Sequence, residues 1–278
     1  MTKKDFPNLG IGIGLRTPHY EEIFSQKPDI DWFEIISENF MVDGGMPLYN
    51  LERILERYPV VQHGVSLAIG SPDPLDFDYL KRLKALTKKT KTPWVSDHLC
   101  WGHLAGAHYH DLLPLPHTKE VVEYVAERAR IVQDFLELPF ALENLSSYVA
   151  YQADEMPESE FYAAVVEKAG IYMMLDVNNI YVSSRNHGFA PREYYANLPL
   201  DRVLQIHLAG HSDYDAYVLD THDNRVCDAV WDIYAEVYPK TGGVSTLLEW
   251  DDNFISFQQT WDEALKAKKF QESLTYSS

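Results

Sequence analysis

Nine side chains of this chain are of the types that hold a catalytic metal: His63, His98, Glu143, Asp176, Asn179, His207, Asp220, His222 and Glu249. Imidazole nitrogen and carboxylate oxygen without thiolate suit iron, manganese or zinc. Their spacing says more than their types. Six of them stand at the ends of short apolar runs, at residues 59–62, 93–96, 139–142, 171–175, 203–206 and 245–248. Ligand types that recur at one end of successive buried strands belong to side chains that converge in space. Asp220 and His222, as Asp-x-His in a later loop, point the same way if that segment is extended. Asn179 lies three residues beyond Asp176, in the turn after its strand. Any one of these residues alone is more often a hydrogen-bonded histidine or a helix cap. The joint pattern of type and position is what points to metal. So many donors exceed the needs of one ion, so two or three ions are expected, with carboxylates shared.

Residues nearby have plausible supporting roles. Asp97, beside His98, is suited to orient an imidazole. Glu38 and Asn39 follow the second apolar run and fit substrate contact or a helix cap. His211 fits a place behind the ligands or facing substrate, and Asn144 and Tyr148 could face substrate. His103, His108 and His110 fall in a loop near the expected mouth. His19, His117 and His187 carry no comparable signal. Cys100 is close to His98 but reads as a small buried residue rather than a nucleophile. No Ser-His-Asp order or nucleophile elbow is present.

To bring such residues together the chain needs a repeated scaffold. It reads as eight strand-then-helix units at a spacing of roughly thirty residues, as βαβ units require. The strands are expected at residues 9–14, 31–37, 60–62, 94–96, 140–142, 172–175, 203–206 and 246–248. Helices are expected at 18–25, 46–57, 74–90, 118–136, 158–168, 192–197, 226–238 and 255–269, and long loops at 99–116 and 208–223. The helix at 118–136 shows the logic: Thr118 is an N-cap, and Val121, Val122, Val125, Ala129, Val132 and Leu136 form one apolar stripe. Eight units predict an α/β fold, a single (β/α)₈ TIM-barrel domain over residues 1–278 with its metal cluster at the C-terminal face of the strands. A doubly wound open sheet is the alternative. Gly10-Ile-Gly12-Ile-Gly14 lacks the third glycine of a dinucleotide fingerprint. Those glycines are expected to allow close packing at the barrel floor.

Composition narrows the function. The chain has 278 residues, 46% hydrophobic and 24% charged, with a formal net charge of −18. Such a surface repels polyanions, which argues against a nucleic-acid partner. Residues 81–91, the one lysine-rich stretch, read as the solvated face of a helix. No run approaches the roughly 20 apolar residues that span a bilayer, so no membrane role is expected. The first residues lack the apolar core of a secretory signal. Two cysteines make no disulfide framework, and a cytoplasmic location is expected.

The motifs Ser37-Glu-Asn-Phe40, His63-Gly-Val-Ser-Leu67, Ser96-Asp-His-Leu-Cys-Trp101, His110-Asp-Leu-Leu-Pro-Leu-Pro116, Leu142-Glu-Asn-Leu-Ser-Ser147, Leu175-Asp-Val-Asn-Asn179, Gln205-Ile-His-Leu-Ala-Gly-His211 and Glu249-Trp-Asp251 resemble the DUF692 family. That family is also known as UPF0276, or as the multinuclear non-haem iron-dependent oxidative enzymes. The resemblance covers about residues 9–255. It implies a barrel like those of xylose isomerase and endonuclease IV. It also implies two or three irons, mixed ferrous and ferric, with zinc or manganese as substitutes.

On that basis His63, His98 and Glu143 hold one ion and are the residues expected to carry the chemistry. Glu143, Asp176, His207 and Glu249 hold a second, with Glu143 shared. Asp220 and His222 hold a third with Asn179. The zinc endonuclease has histidine at the position of Asn179, so the third site is expected to be labile here. The family implies dioxygen-dependent modification of cysteine in a ribosomally made precursor peptide, with a separate leader-binding partner protein. The chain reads as the barrel without an appended leader-binding segment. A divalent-metal hydrolase or isomerase on the same barrel, and a non-catalytic metal-binding protein, are the rival readings.

Overall fold

The barrel strands are β1 (Ile11–Gly14), β2 (Trp32–Ile36), β3 (Val60–His63), β4 (Val95–His98), β7 (Phe140–Glu143), β8 (Tyr172–Asp176), β9 (Val203–Leu208) and β12 (Ser245–Leu248). They close in the order β1-β12-β9-β8-β7-β4-β3-β2, and every neighbouring pair is parallel. The strands are buried over nearly their whole length, as expected when helices cover a parallel sheet. The helices are α1 (Tyr20–Gln26), α2 (Met46–Leu55), α3 (Phe77–Thr90), α4 (Lys119–Leu136), α5 (Glu158–Ala169), α6 (Val177–His187), α7 (Pro191–Tyr195), α8 (Asp228–Val237), α9 (Phe257–Leu265) and α10 (Lys268–Thr275). This computed structural model describes residues 6–275; residues 1–5, read above for a secretory signal, lie outside them. No helix among the described residues is long and apolar enough to cross a membrane.

Side-chain alternation separates two cores. Most apolar residues pack between strands and helices. A small second cluster holds Trp32, Val61, Trp94, Leu204 and Leu247. Val61 and Leu247 lie two residues before His63 and Glu249, so they point to the same side of the sheet, the barrel interior. This apolar floor explains Gly12, where a Cβ would run into the Trp32 indole.

Three expectations need correction. Residues 99–116 are not a plain loop: β5 (Trp101–Leu104) and β6 (Ala107–Leu113) form an antiparallel hairpin. The alternating His108, His110 and Leu112 of β6 carry a period too weakly apolar to read as a strand. The loop at 208–223 likewise contains the short pair β10 (Ser212–Asp213) and β11 (Val218–Leu219). Finally, β8 runs straight into α6, a helix absent from the expectation. Its polar stretch Asn178–Asn179 and Ser183–Asn186 hides the helical stripe, and Asp176 caps it through Oδ1, 2.6 Å from the Asn179 amide. Asn179 therefore sits in a first helical turn rather than a loop. Smaller shifts affect ends: α3 starts at Phe77 because Asp76 accepts the amides of Asp78 and Tyr79, and the C-terminal helix is split into α9 and α10.

Candidate metal centre

The closed barrel turns the ends of its strands into one rim. His63, His98, Glu143 and Asp176 are the last residues of β3, β4, β7 and β8, His207 is the penultimate residue of β9, and Glu249 directly follows β12. Two groups result, each with ligand atoms within 4.8 Å of one another: His63, His98 and Glu143; and Glu143, Asp176, His207 and Glu249. Glu143 belongs to both. Its Oε2 lies 3.3 Å from His63 Nε2 and 3.2 Å from His98 Nε2, and its Oε1 lies 3.3 Å from His207 Nδ1.

The surroundings orient each donor. His98 Nδ1 is 3.1 Å from the Gly64 carbonyl, which can only accept, so Nδ1 carries a proton; its Nε2 faces Glu143 Oε2 and lies 3.4 Å from His63 Nε2. His63 Nδ1 meets Ser96 Oγ at 2.9 Å. Asn144 clasps the Asp176 backbone: its Oδ1 accepts the Asp176 amide and its Nδ2 donates to the Asp176 carbonyl. Asn179 donates through Nδ2 to the Asn144 carbonyl, which leaves its Oδ1 free.

A third group gathers His222, Glu249 and Asp251 at the rim. His222 Nδ1 is 3.2 Å from Glu249 Oε2 and 3.3 Å from Asp251 Oδ2, while its Nε2 is 2.8 Å from Asp220 Oδ1. Asp220 thus meets His222 through the opposite nitrogen from Glu249. His222 has φ +50°, the left-handed region that costs a non-glycine residue. Its amide donates to the Gly210 carbonyl and its carbonyl accepts from the Asp251 amide. Gly210 is required because a Cβ there would strike the backbone of Asn224.

Charge balance shows why a cation fits. Glu143, Asp176 and His207 are almost fully buried, and Glu249 is 6% exposed. Burying several carboxylates together is costly without a compensating cation. Glu143 Oε2, Asp176 Oδ2, Asn179 Oδ1, His207 Nδ1 and His222 Nε2 are buried without a well-directed hydrogen bond, although several lie near opposite charges. Donor atoms that crowd together without bonding one another are what a set of metal ligands looks like. The titration shifts tell the same story. Burial, then Glu143 and Asp220, push Asp176 well above the usual carboxylate range. Burial, then His98 and His207, push His63 well down. Burial opposes charge on His207, but Glu34, Glu249 and Glu143 outweigh it and raise the imidazole well up. Burial likewise opposes ionisation of Glu249, yet His207 and His222 hold it well below its ordinary value.

Other expectations fare differently. Asp97 does not touch an imidazole ring. It lies one residue from His98 and so faces the other side of β4, where Oδ1 accepts the His98 amide and Oδ2 the Leu67 amide. Glu38 does not face the ligands: Oε1 takes the amides of Val65 and Ser66 and the Tyr79 hydroxyl, pinning the loop after His63. His211 lies behind the rim, with Nδ1 2.7 Å from Asn178 Oδ1, and Asn178 in turn donates to Asp220. Tyr148 reaches the Asp220 amide and is 45% exposed. His103 and His108 pair across the hairpin. Burial pushes the Cys100 thiol well up, which suits a core residue.

Three residues escaped the sequence reading. Glu34 lies inside β2 with Oε1 3.1 Å from His207 Nε2; a carboxylate within an apolar strand was the available signal. Asp251 joins His222, and its place two residues beyond Glu249 was the clue. Arg16 donates to Asp251 from Nε at 2.8 Å and stands 3.9 Å from Glu249, a fixed positive charge beside the rim.

The wider comparisons agree with this geometry. A UPF0276 protein of Anaeromyxobacter sp. (strain Fw109-5) is 51% identical over 259 residues, covering 93% of this chain and 92% of its own. Among solved structures, a D-tagatose 3-epimerase-like protein superposes with a TM-score of 0.60 at 13% identity, over 95% of this chain and 98% of its own. A xylose isomerase-like TIM barrel protein from Mycobacterium smegmatis gives 0.53 at 12% identity, over 84% and 81%. At such identities these structures speak for the xylose-isomerase-like barrel alone. The family model described as RiPP precursor modification enzyme MbnB/TglH/ChrH matches residues 10–272, and the chain belongs to that family, whose members act on ribosomally made precursor peptides.

Proposed function

We propose that the chain is an iron-dependent oxidoreductase that uses dioxygen to modify cysteine in a ribosomally synthesised precursor peptide. Glu143 is the observation that carries this reading: one buried carboxylate with an oxygen turned to each of two adjacent nitrogen- and carboxylate-lined groups. Such sharing suits a multinuclear centre. The residues fit iron, with His63, His98 and Glu143 around one ion, Glu143, Asp176, His207 and Glu249 around a second, and His222 with Asp251 or Asp220, and Asn179, around a third. When bound, iron supplies a soft-enough acceptor for the cysteine thiolate and a redox partner for dioxygen.

The chain's own residues do the rest. His98 and His63 turn their Nδ1 atoms to the Gly64 carbonyl and the Ser96 hydroxyl, so their Nε2 atoms, which face Glu143 and each other, would be the ones to bind metal. The apolar floor of Trp32, Val61, Trp94, Leu204 and Leu247 fills the barrel interior beneath them. Arg16 holds positive charge beside Asp251 and Glu249 at the mouth. Asn144 fixes Asp176, and through it the second group. For dioxygen to end as two waters, the peptide has to give up four electrons and four protons in the net reaction. A separate leader-binding protein is the expected partner, because a precursor needs to be held while its cysteine enters the mouth.

The test is anaerobic loading with ferrous iron, addition of a precursor peptide encoded beside the gene, then oxygen and mass spectrometry. A changed mass confined to a cysteine-containing fragment is the expected result. Unchanged masses for all such peptides, together with zinc-supported phosphodiesterase or sugar isomerase activity, would favour the rival hydrolase or isomerase.

A further inference from the structure

We propose that Glu34 is a positioning residue that holds His207 with its Nε2–H directed into the barrel and its Nδ1 turned toward the mouth. The inference rests on the metal-centre reading above for its consequence, but not for its geometry. It starts at a residue that can only donate. The Trp94 indole Nε1 lies 2.9 Å from the Gln205 amide, and an indole N–H has no lone pair to offer. The Gln205 atom that receives it is therefore Oε1, which fixes the amide with its nitrogen on the other side. That nitrogen donates to Glu34 Oε2 at 2.5 Å. Glu34 is then left to accept from His207, whose Nε2 lies 3.1 Å from Oε1 and 3.2 Å from Oε2.

Gln205 Nε2 also stands 2.7 Å from His207 Nε2, so the competing arrangement has the amide donating to a bare imidazole nitrogen. Both Glu34 oxygens face that same nitrogen, and lone pairs on all three atoms would repel. A proton on Nε2 turns both Glu34 contacts into hydrogen bonds, at the cost of a close N–H approach from the Gln205 amide. Nδ1 is then the nitrogen left for a metal: it faces Glu143 and Glu249, whose charge would hold a second proton there when no cation is bound, and it makes no directed hydrogen bond. All four residues of the relay are buried. A carboxylate behind a ligating imidazole fixes its tautomer and raises its basicity, and its loss typically weakens metal binding on the order of 10- to 100-fold.

The test uses the full chain with ¹⁵N-labelled histidine, as wild type, Glu34→Gln and Glu34→Leu, metal-free and loaded with diamagnetic zinc(II). In zinc-loaded wild type, His207 Nε2 is expected to carry a slowly exchanging, downfield proton, with Nδ1 bound to the metal. Glu34→Gln keeps an acceptor of the same shape, so the proton should stay while zinc at the central group weakens on the order of 10-fold or more. Glu34→Leu should lose the downfield proton. A bare Nε2 in the wild type, or zinc binding unchanged in both variants, overturns the proposal. Should the wild type take up no metal, the metal-centre reading fails instead. The site of the single proton on the neutral, metal-free ring, in wild type and in Glu34→Leu, then still decides whether Glu34 holds His207.

Discussion

The central group and the rim group use the same side-chain types but differ in what holds them. Glu143, Asp176 and His207 are carried by barrel strands, whose register with their neighbours leaves little freedom. His222 and Asp251 come from the segments after β9 and β12. His222 there adopts a left-handed backbone, and Asp251 divides itself between His222 and Arg16. The central donors are nearly free of solvent, whereas the Asp251 side chain is 38% exposed. Strands fix ligands by geometry; loops have to fix them one hydrogen bond at a time. The central group should hold its ion tightly and the rim group should exchange it.

The largest effect expected on this contrast is from Glu143→Gln. The shared carboxylate is lost from two groups at once, so binding of both ions should weaken by about 100-fold or more and turnover should vanish. Metal analysis after dialysis, with peptide mass spectrometry, checks both. A variant that lost only one ion would show that the two groups are independent.

A half-buried acid outside the centre sharpens the comparison. Burial pushes Glu158 up to about 7, with only the Tyr194 hydroxyl as a countering partner, whereas two imidazoles hold Glu249 well down. Because the folded-state value lies above the unfolded one, Glu158 binds its proton more tightly when folded. Stability should therefore fall as pH rises from about 4.5 to about 7, by at most about 3 kcal/mol, and level off above. Glu158→Gln should melt higher than wild type at pH 8 and alike at pH 4, read as thermal unfolding of the metal-free chain. Equal melting at both pH values would place the carboxyl in water.

A milder outcome is expected for His222→Ala. One ion per chain should be lost on dialysis while the central ions remain, with turnover reduced on the order of 10-fold. If the central ions left with it, the distinction between strand-borne and loop-borne ligands would collapse. Smallest of all is Cys100→Ala. The buried thiol packs with Ala68 and Leu145, so a loss of about 1 kcal/mol in stability and unchanged metal content are expected. Loss of turnover with metal retained would bring back a thiol role.

The barrel was legible in the sequence because buried parallel strands write short apolar runs, and because six of the eight runs led into a metal-binding type. His63, His98, Glu143, Asp176, His207 and Glu249 are brought together as that pattern predicted. What stayed hidden depended on contacts between distant strands. Glu34 in β2 meets His207 in β9 across the barrel, and no local spacing records that meeting. Asp97 shows the reverse: its place beside His98 suggested a ring contact, but strand alternation sends it the other way. The hairpin β5–β6 and helix α6 were missed because their exposed or polar faces dilute the period that marks an element.

The Asp176 carboxyl has two tasks. One oxygen closes the opening turn of α6, and the other looks into the cluster. Chelation should thus be felt along α6 as faster deuterium uptake at Asn179 and its neighbours. The barrel's sixth helix would serve as a built-in gauge of whether the centre is filled.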